Sequence, residues 1–397
     1  MTKGPLDGYR VIELGQGVPS PFATLQLGDG GADVIKVENK SGDVAREMPP
    51  FWVNGKSAVF VSINRNKRSL AIDLTSAEGR EVLASLISTA DVLVEDVDLT
   101  REIGLDVFPL AQKQPQLVHC RISGYGPKGP LSELPGSELT AQLASEAVLS
   151  LGSLRDPPIR LGTDVASCYA GIYAAQGILS ALWRRHQDGH GQQVDVSLFG
   201  CMLMMRATLW AALTNPDDWF GFHNDSYVKP PDYGYQAKDG TIMLVVGRMS
   251  DEQWASLFDE LGLEDLSDEE KHLLRTQGSV NSRLAHITKP IWERALVNFN
   301  VDELLEIFPR NGGNAYRINN YEEMLSHPQT QHLGIVEEVE TPDGPVRVLR
   351  PPWQFSEDPV SVRLAPPELG QHTNEILAEI GYSTDSVEEL RRAGILV

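Results

Sequence analysis

The feature that most constrains this 397-residue chain is a series of short apolar segments in its first third, each followed by a helical or glycine-rich stretch. Tyr9–Leu14 (YRVIEL) reads as a buried strand and leads into the loop GQGVPSP. FATLQLGDGGA is a short helix ending in glycines, and Asp33–Glu38 (DVIKVE) is the next strand. SLAIDL, the helix SAEGREVLASLIST with Ser76 as its N-cap, and ADVLVED repeat the pattern, and PQLVHCRISGYG adds a further strand. Strands alternating with helices predict a mostly parallel α/β sheet.

From Glu138 the chain turns helix-rich. IYAAQGILSALWRRH places Ile172, Ala175, Ile178, Leu179 and Leu182 on one helical face. GHGQQVDVSLFGCMLMMRATLWAAL reads as a strand followed by a Met-rich buried helix. The aromatic, proline-rich stretch from Phe220 to Tyr235 reads as a linker or a loop over a site. GTIMLVVG is a strand, and acidic helices from SDEQWASLFDELG to VDELLEIFPR complete a second, smaller α/β unit. GIVEEVETPDGPVRVLRPPWQF is a hairpin turning at TPDGP, and ELGQHTNEILAEIG is a late helix closed by Gly381. These readings place a large domain over 1–200, a linker and pocket loop over 201–235, and a small domain over 236–320. A return linker with the hairpin spans 321–365, and C-terminal helices rejoin the large domain over 366–397.

Charge narrows the partners. Thirty-four basic residues against 55 acidic ones give −21, which repels nucleic acid and anionic membranes. The one basic cluster, Asn64–Arg68 (NRNKR), is read as a solvated turn. Cys120, Cys168 and Cys201 form neither a disulfide framework nor a zinc pattern, and suit a reducing compartment. The N-terminal text lacks a signal-peptide core and no run of about 18 apolar residues stands out, so the expectation is a cytoplasmic protein without a membrane span. Walker, HExxH and GxSxG motifs are absent, and GDGGAD follows a helix where a dinucleotide fingerprint must follow a strand. His186 and His190 share a polar turn with nothing to complete a shell, so no metal site is expected.

The whole chain resembles the family III CoA-transferases of the CaiB/BaiF type, which include formyl-CoA and carnitine CoA-transferases and share a fold with α-methylacyl-CoA racemase. The matching text includes PLDGYRVIEL, GGADVIKVE, NRNKRSLAIDL, ADVLVED, ISGYGPKGP, SALWRRHQDGHGQQVDVSLF, AKDGTIML and APPELGQHTNEILAEIG. The resemblance implies a Rossmann-like large domain, a smaller α/β domain, and a ring-shaped chain that interlocks with a second one. It implies CoA and acyl-CoA as substrates, no covalently bound cofactor, and covalent catalysis by an aspartate that accepts the acyl group.

In such proteins that aspartate stands four residues before a glycine at the start of a small-residue helix. Here the glycine is Gly171 and the place is held by Ser167, with Asp164 three positions early. No His or Lys flanks Ser167 to act as a base, and Cys168 is a further candidate nucleophile. Asp164 is read as the cap of the following helix; the competing reading makes it the nucleophile after a local backbone shift. The positions implied for CoA are Val18, Pro19, Asn39, Ile72, Thr75, Asp96 and Arg101, with Asn39, Asp96 and an out-of-register Arg101 where cations are usual. The Tyr-Asp pair of the family reads Ser137-Glu138.

The leading expectation is therefore a non-catalytic subunit working with a second family III chain that carries the aspartate, as in the heteromeric succinyl-CoA:benzylsuccinate enzyme. The alternatives are an active homodimeric transferase using Asp164, an acyl-CoA racemase or isomerase, and a non-enzymatic acyl-CoA-binding protein.

Overall fold

A computed structural model of the chain describes residues 4–51, 53–145, 147–149, 159–162, 164–205, 234–246, 249–277, 285–357 and 360–397. The chain divides into two units: 1–147 with 160–207 and 329–397, and 148–159 with 208–328.

The larger unit is built on a six-stranded sheet. In chain order it comprises β1 (Arg10–Leu14), α1 (Pro19–Asp29), β2 (Asp33–Glu38), α2 (Ala58–Ile63), β3 (Lys67–Ala71), α3 (Ala77–Ile87) and β4 (Val92–Asp96). It continues with α4 (Val97–Glu102), α5 (Phe108–Gln112), β5 (Val118–Ser123), α6 (Glu138–Ala144), α7 (Val165–Asp188), β6 (Gln193–Ser197) and α8 (Leu198–Met205). The spatial order is β3-β2-β1-β4-β5-β6, with every pair parallel. The order reverses between β1 and β4, so the loops leaving those two strands diverge around a crevice at their carboxyl ends.

Alternation along the strands sorts the core into two layers. Val11, Val34, Val92, Val94, Cys120 and Ile122 face α1 and α7, where Ala166, Ala170, Ala174 and Ile178 meet them. Ile12, Leu14, Ile35, Val37 and Leu93 face the other way, onto Leu83 and Leu86 of α3 and Ile376 and Leu377 near the C-terminus. Ser76 caps α3 as expected, its Oγ accepting the Gly79 N–H.

Three expectations need correction. Asn64–Arg68 is no solvated turn: all five residues are buried, and the last two open β3. Leu179 is exposed on α7. By length and composition α7 could cross a membrane, but half of its apolar window is buried inside the protein, as in a core helix. Of the Met-rich segment, Met202 is buried and Met204 exposed.

In the second unit β7 (Tyr235–Gln236), β8 (Thr241–Val245) and β9 (Asn314–Arg317) form an antiparallel sheet. Helices Asp251–Glu260, Ala285–Leu296 and Val301–Arg310 build its core around Trp254, Trp292 and Phe308. The pocket loop expected over Phe220–Tyr235 lies outside the described residues except at its end. The hairpin in the return segment pairs Val336–Val339 with Val346–Leu349.

Candidate active site at the mouth of the long helix

Two helix entrances in the larger unit carry charge. The first is the start of α1, beneath which lies a buried ion network. Glu13 and Lys36 are neighbours across β1 and β2, and Lys36 Nζ stands 2.6 Å from both Glu13 Oε1 and Asp43 Oδ2. Lys67 Nζ lies 2.8 Å from Glu13 Oε2 and donates to the Pro21 carbonyl. Asp43 Oδ1 accepts the Gly17 N–H at 2.8 Å, and Lys36 reaches the Gly15 carbonyl. Burial alone would push Glu13 up, but the Lys36 and Lys67 ammoniums outweigh it and bring the carboxyl down to about 2. Burial together with the Lys36 charge takes Lys67 down to about 8. The rest of the basic cluster is equally engaged: Arg65 and Asn66 bind Asp29, while Arg68 binds Asp33, Glu375 and Glu379. These contacts hold the β1–α1 loop from below.

Every residue assigned to CoA by resemblance lies at or beyond the carboxyl end of a strand. Val18 and Pro19 enter α1 after β1, and Asn39 follows β2. Ile72 bridges to Leu396, and the Thr75 hydroxyl donates to Asp73 at 2.6 Å. Asp96 caps α4, its Oδ1 accepting the Asp98 and Leu99 N–H groups, and Arg101 pairs with Asp98 and reaches the Ser132 carbonyl. Burial, reinforced by Asp98 and Asp43, raises the Asp96 carboxyl to about 6 against the two backbone bonds it accepts. The neighbouring Lys40 is paired with Asp73. The cleft lined by Gly15, Gln16, Asn39, Asp43 and Leu99 measures about 20 Å³, against roughly 300 Å³ or more for a small-molecule pocket.

The second entrance is that of α7. Gly171 brings this helix onto α1: a Cβ there would stand 2.9 Å from the Phe22 ring and 3.0 Å from the Ala23 nitrogen. The first turn is Val165-Ala166-Ser167-Cys168, with Asp164 at the cap position. The cap reading of Asp164 is overturned, because its side chain accepts no bond from the helix. The donors go instead to Glu138, at the start of α6. Glu138 Oε1 accepts the Ala166 N–H at 3.0 Å, and Oε2 accepts the Ser167 N–H at 2.8 Å and the Ser167 hydroxyl at 2.7 Å. Gln142 Nε2 donates to Oε1 at 2.7 Å, while Gln142 Oε1 accepts the Leu161 N–H on the segment leading into α7. A capping box at Ser137 and Thr140 fixes the start of α6.

The candidate nucleophiles now separate. Ser167 is buried, and the carboxylate its hydroxyl faces already accepts two hydrogen bonds on each oxygen. Burial, then Asp164 and Glu138, push the Cys168 thiol up to about 11, so it stays protonated. Asp164 is partly buried, and no described residue donates to its carboxylate. Burial and then the Glu138 charge raise its pKa, with Arg160 acting the other way. Sequence reasoning noted Glu138 only as a departure from the family pair; nothing local marks it as the cap of a helix 27 residues further on. No group of His, Cys, Asp and Glu suited to a metal occurs among the described residues.

Comparison with known proteins agrees with this architecture. The model of CoA-transferase family III matches residues 6–373. Human succinyl-CoA:glutarate CoA-transferase is 31% identical, over 99% of this chain and 90% of that protein. The succinyl-CoA–L-malate CoA-transferase beta subunit of Chloroflexus aurantiacus is 28% identical, over 100% of this chain and 99% of its own length. A crystal structure of a CAIB/BAIF family protein from Brucella suis superposes with a TM-score of 0.82 at 29% identity, covering 96% of this chain and 100% of that one.

Proposed function

The chain belongs to the family III CoA-transferases, and from that premise we propose that it moves CoA between an acyl-CoA, succinyl-CoA first among them, and a carboxylic acid, with Asp164 as the covalent carboxylate. The cytoplasm and an interlocked dimer of this chain complete the proposal. The observation that carries it is the Asp164 carboxylate, which no described residue bonds, beside a helix mouth whose Ala166 and Ser167 N–H groups are taken by Glu138.

An Asp164 oxygen attacks the thioester carbonyl, the C–S bond breaks, and CoA leaves as thiolate from a mixed anhydride. The thiolate attacks the aspartyl carbonyl of that anhydride, freeing the first acid as carboxylate and leaving aspartyl-CoA. The acceptor carboxylate repeats the sequence in reverse, and Asp164 is regenerated without net proton transfer. Raised basicity suits a carboxylate nucleophile working near neutral pH.

The test is the purified chain, succinyl-CoA and a trap. Hydroxylamine should leave a hydroxamate on Asp164, or borohydride an alcohol, located by peptide mass spectrometry, with light scattering reporting two chains per particle. An adduct on another carboxylate sinks the assignment.

Ser167 at the family's nucleophile position supports a second reading, in which this chain is the non-catalytic partner in a heteromer; the Chloroflexus relative, named a beta subunit, fits the same view. A pure chain that forms no adduct, and gains one only on a co-purifying family III chain, favours this reading.

A further inference from the structure

We propose that Glu138 is the positioning residue of this site: it caps α7 from the neighbouring helix, so that Asp164, which by its place in the chain would be the cap, stays uncommitted. The inference rests on the Asp164 reading for its catalytic meaning, but its structural content stands apart from it.

A helix entrance exposes four N–H groups, and the residue at the cap position ordinarily binds one or two of them with its own side chain. Aspartate is among the best residues for that task. Asp164 has the place and the chemistry, yet its carboxylate takes none of the donors. The reason lies in α6. Glu138 receives the Ala166 and Ser167 N–H groups, adds the Ser167 hydroxyl, and is steadied by Gln142, which is itself fully buried and tied to Leu161. With these donors occupied, a second carboxylate gains little by turning inward and meets the charge of the first.

Two consequences follow for a nucleophile. A carboxylate that caps a helix has its lone pairs engaged and its charge stabilised, both of which lower its reactivity; one left beside an occupied cap has neither. Among the described residues, the charged and titratable groups around Asp164 are Glu138, Arg160 and the Cys168 thiol. Among them Glu138 disfavours the Asp164 charge and Arg160 favours it. Removing the Glu138 charge therefore moves the acidic limb of kcat/KM to lower pH.

The decisive measurement is amide hydrogen exchange across residues 161–170, read as a double-mutant cycle on the full chain. In the parent background Asp164→Ala should leave the Ala166 and Ser167 amides unchanged. In the Glu138→Ala background Asp164 is free to turn in as the replacement cap. There, removing it should speed those amides by a further fivefold or so, the factor of a typical cap. Should Glu138→Ala fail to fold, Glu138→Gln keeps the shape and one acceptor oxygen, and its acidic limb should fall below that of the parent. Faster exchange in the single Asp164→Ala variant, no added effect in the double variant, or an unmoved limb in Glu138→Gln would each overturn the proposal. The exchange arms need no substrate, and the limb is read only once the parent has given the Asp164 adduct, so a failure here is distinguishable from a failure to trap that adduct.

Discussion

The entrances of α1 and α7 lie in the same unit and both gather carboxylates, yet they are built to opposite ends. Beneath α1, Glu13 and Asp43 each face an ammonium at 2.6–2.8 Å, and Glu38 faces Arg46 at 2.8 Å. Buried charges matched in this way cost little only while every partner is present. At α7 two carboxylates, Glu138 and Asp164, stand close enough for one to raise the other, and Glu138 is satisfied by neutral donors. The first arrangement fixes a loop. The second leaves one acid, Asp164, without a hydrogen bond from any described residue.

The comparison can be broken most sharply at Asp164. Asp164→Asn should lower the CoA-transfer rate by at least about 10³-fold while leaving the denaturation midpoint in place, because the side chain accepts no hydrogen bond from a described residue. A large loss of stability with little loss of rate would reverse the roles assigned to the two entrances.

The α1 network should behave conversely. Glu13→Gln leaves Lys36 and Lys67 facing each other without their shared anion, and should cost about 3–5 kcal/mol in urea unfolding. The pH dependence carries the same signature. The Glu13 carboxyl is held at about 2, below its ordinary 4.5, so its contribution is complete above pH 4.5 and is lost as pH falls toward 2. The parent should weaken across that window, and Glu13→Gln should flatten the slope.

Gly171→Ala probes the joint between the entrances. Its Cβ would press on Phe22 and the Ala23 nitrogen, so α7 should shift from α1 at a cost of about 1–3 kcal/mol, with a fall in transfer rate as the mouth moves. The smallest effect belongs to Ser167→Ala. It removes the hydroxyl bond to Glu138 but leaves the Ala166 and residue-167 N–H groups in place, for about 1 kcal/mol and less than a tenfold change in rate. A complete loss of activity in this variant would return the chemistry to Ser167.

Much of this was legible in the chain itself. The strand at Asp33–Glu38 matches its expected bounds, the strand–helix alternation behind the parallel sheet is visible along the chain, and the Ser76 cap, the TPDGP hairpin and the Gly381 helix end follow from local signals. Periodicity and turn chemistry act over a few residues, so a short window contains their cause. NRNKR and Asp164 were misread for the complementary reason. The partners of Arg65 and Arg68 lie 36, 35, 307 and 311 residues away, and the acceptor for the first turn of α7 lies 28 and 29 residues upstream.

Thus the amino-acid sequence determined by itself which segments become strands and helices. Only the tertiary structure decided which charges are neutralised and which acid remains uncommitted. Helix and strand formation is governed by neighbours in the chain. Satisfaction of a buried charge or an orphan N–H is governed by whatever group the fold carries into hydrogen-bonding distance, however far away it stands in the sequence.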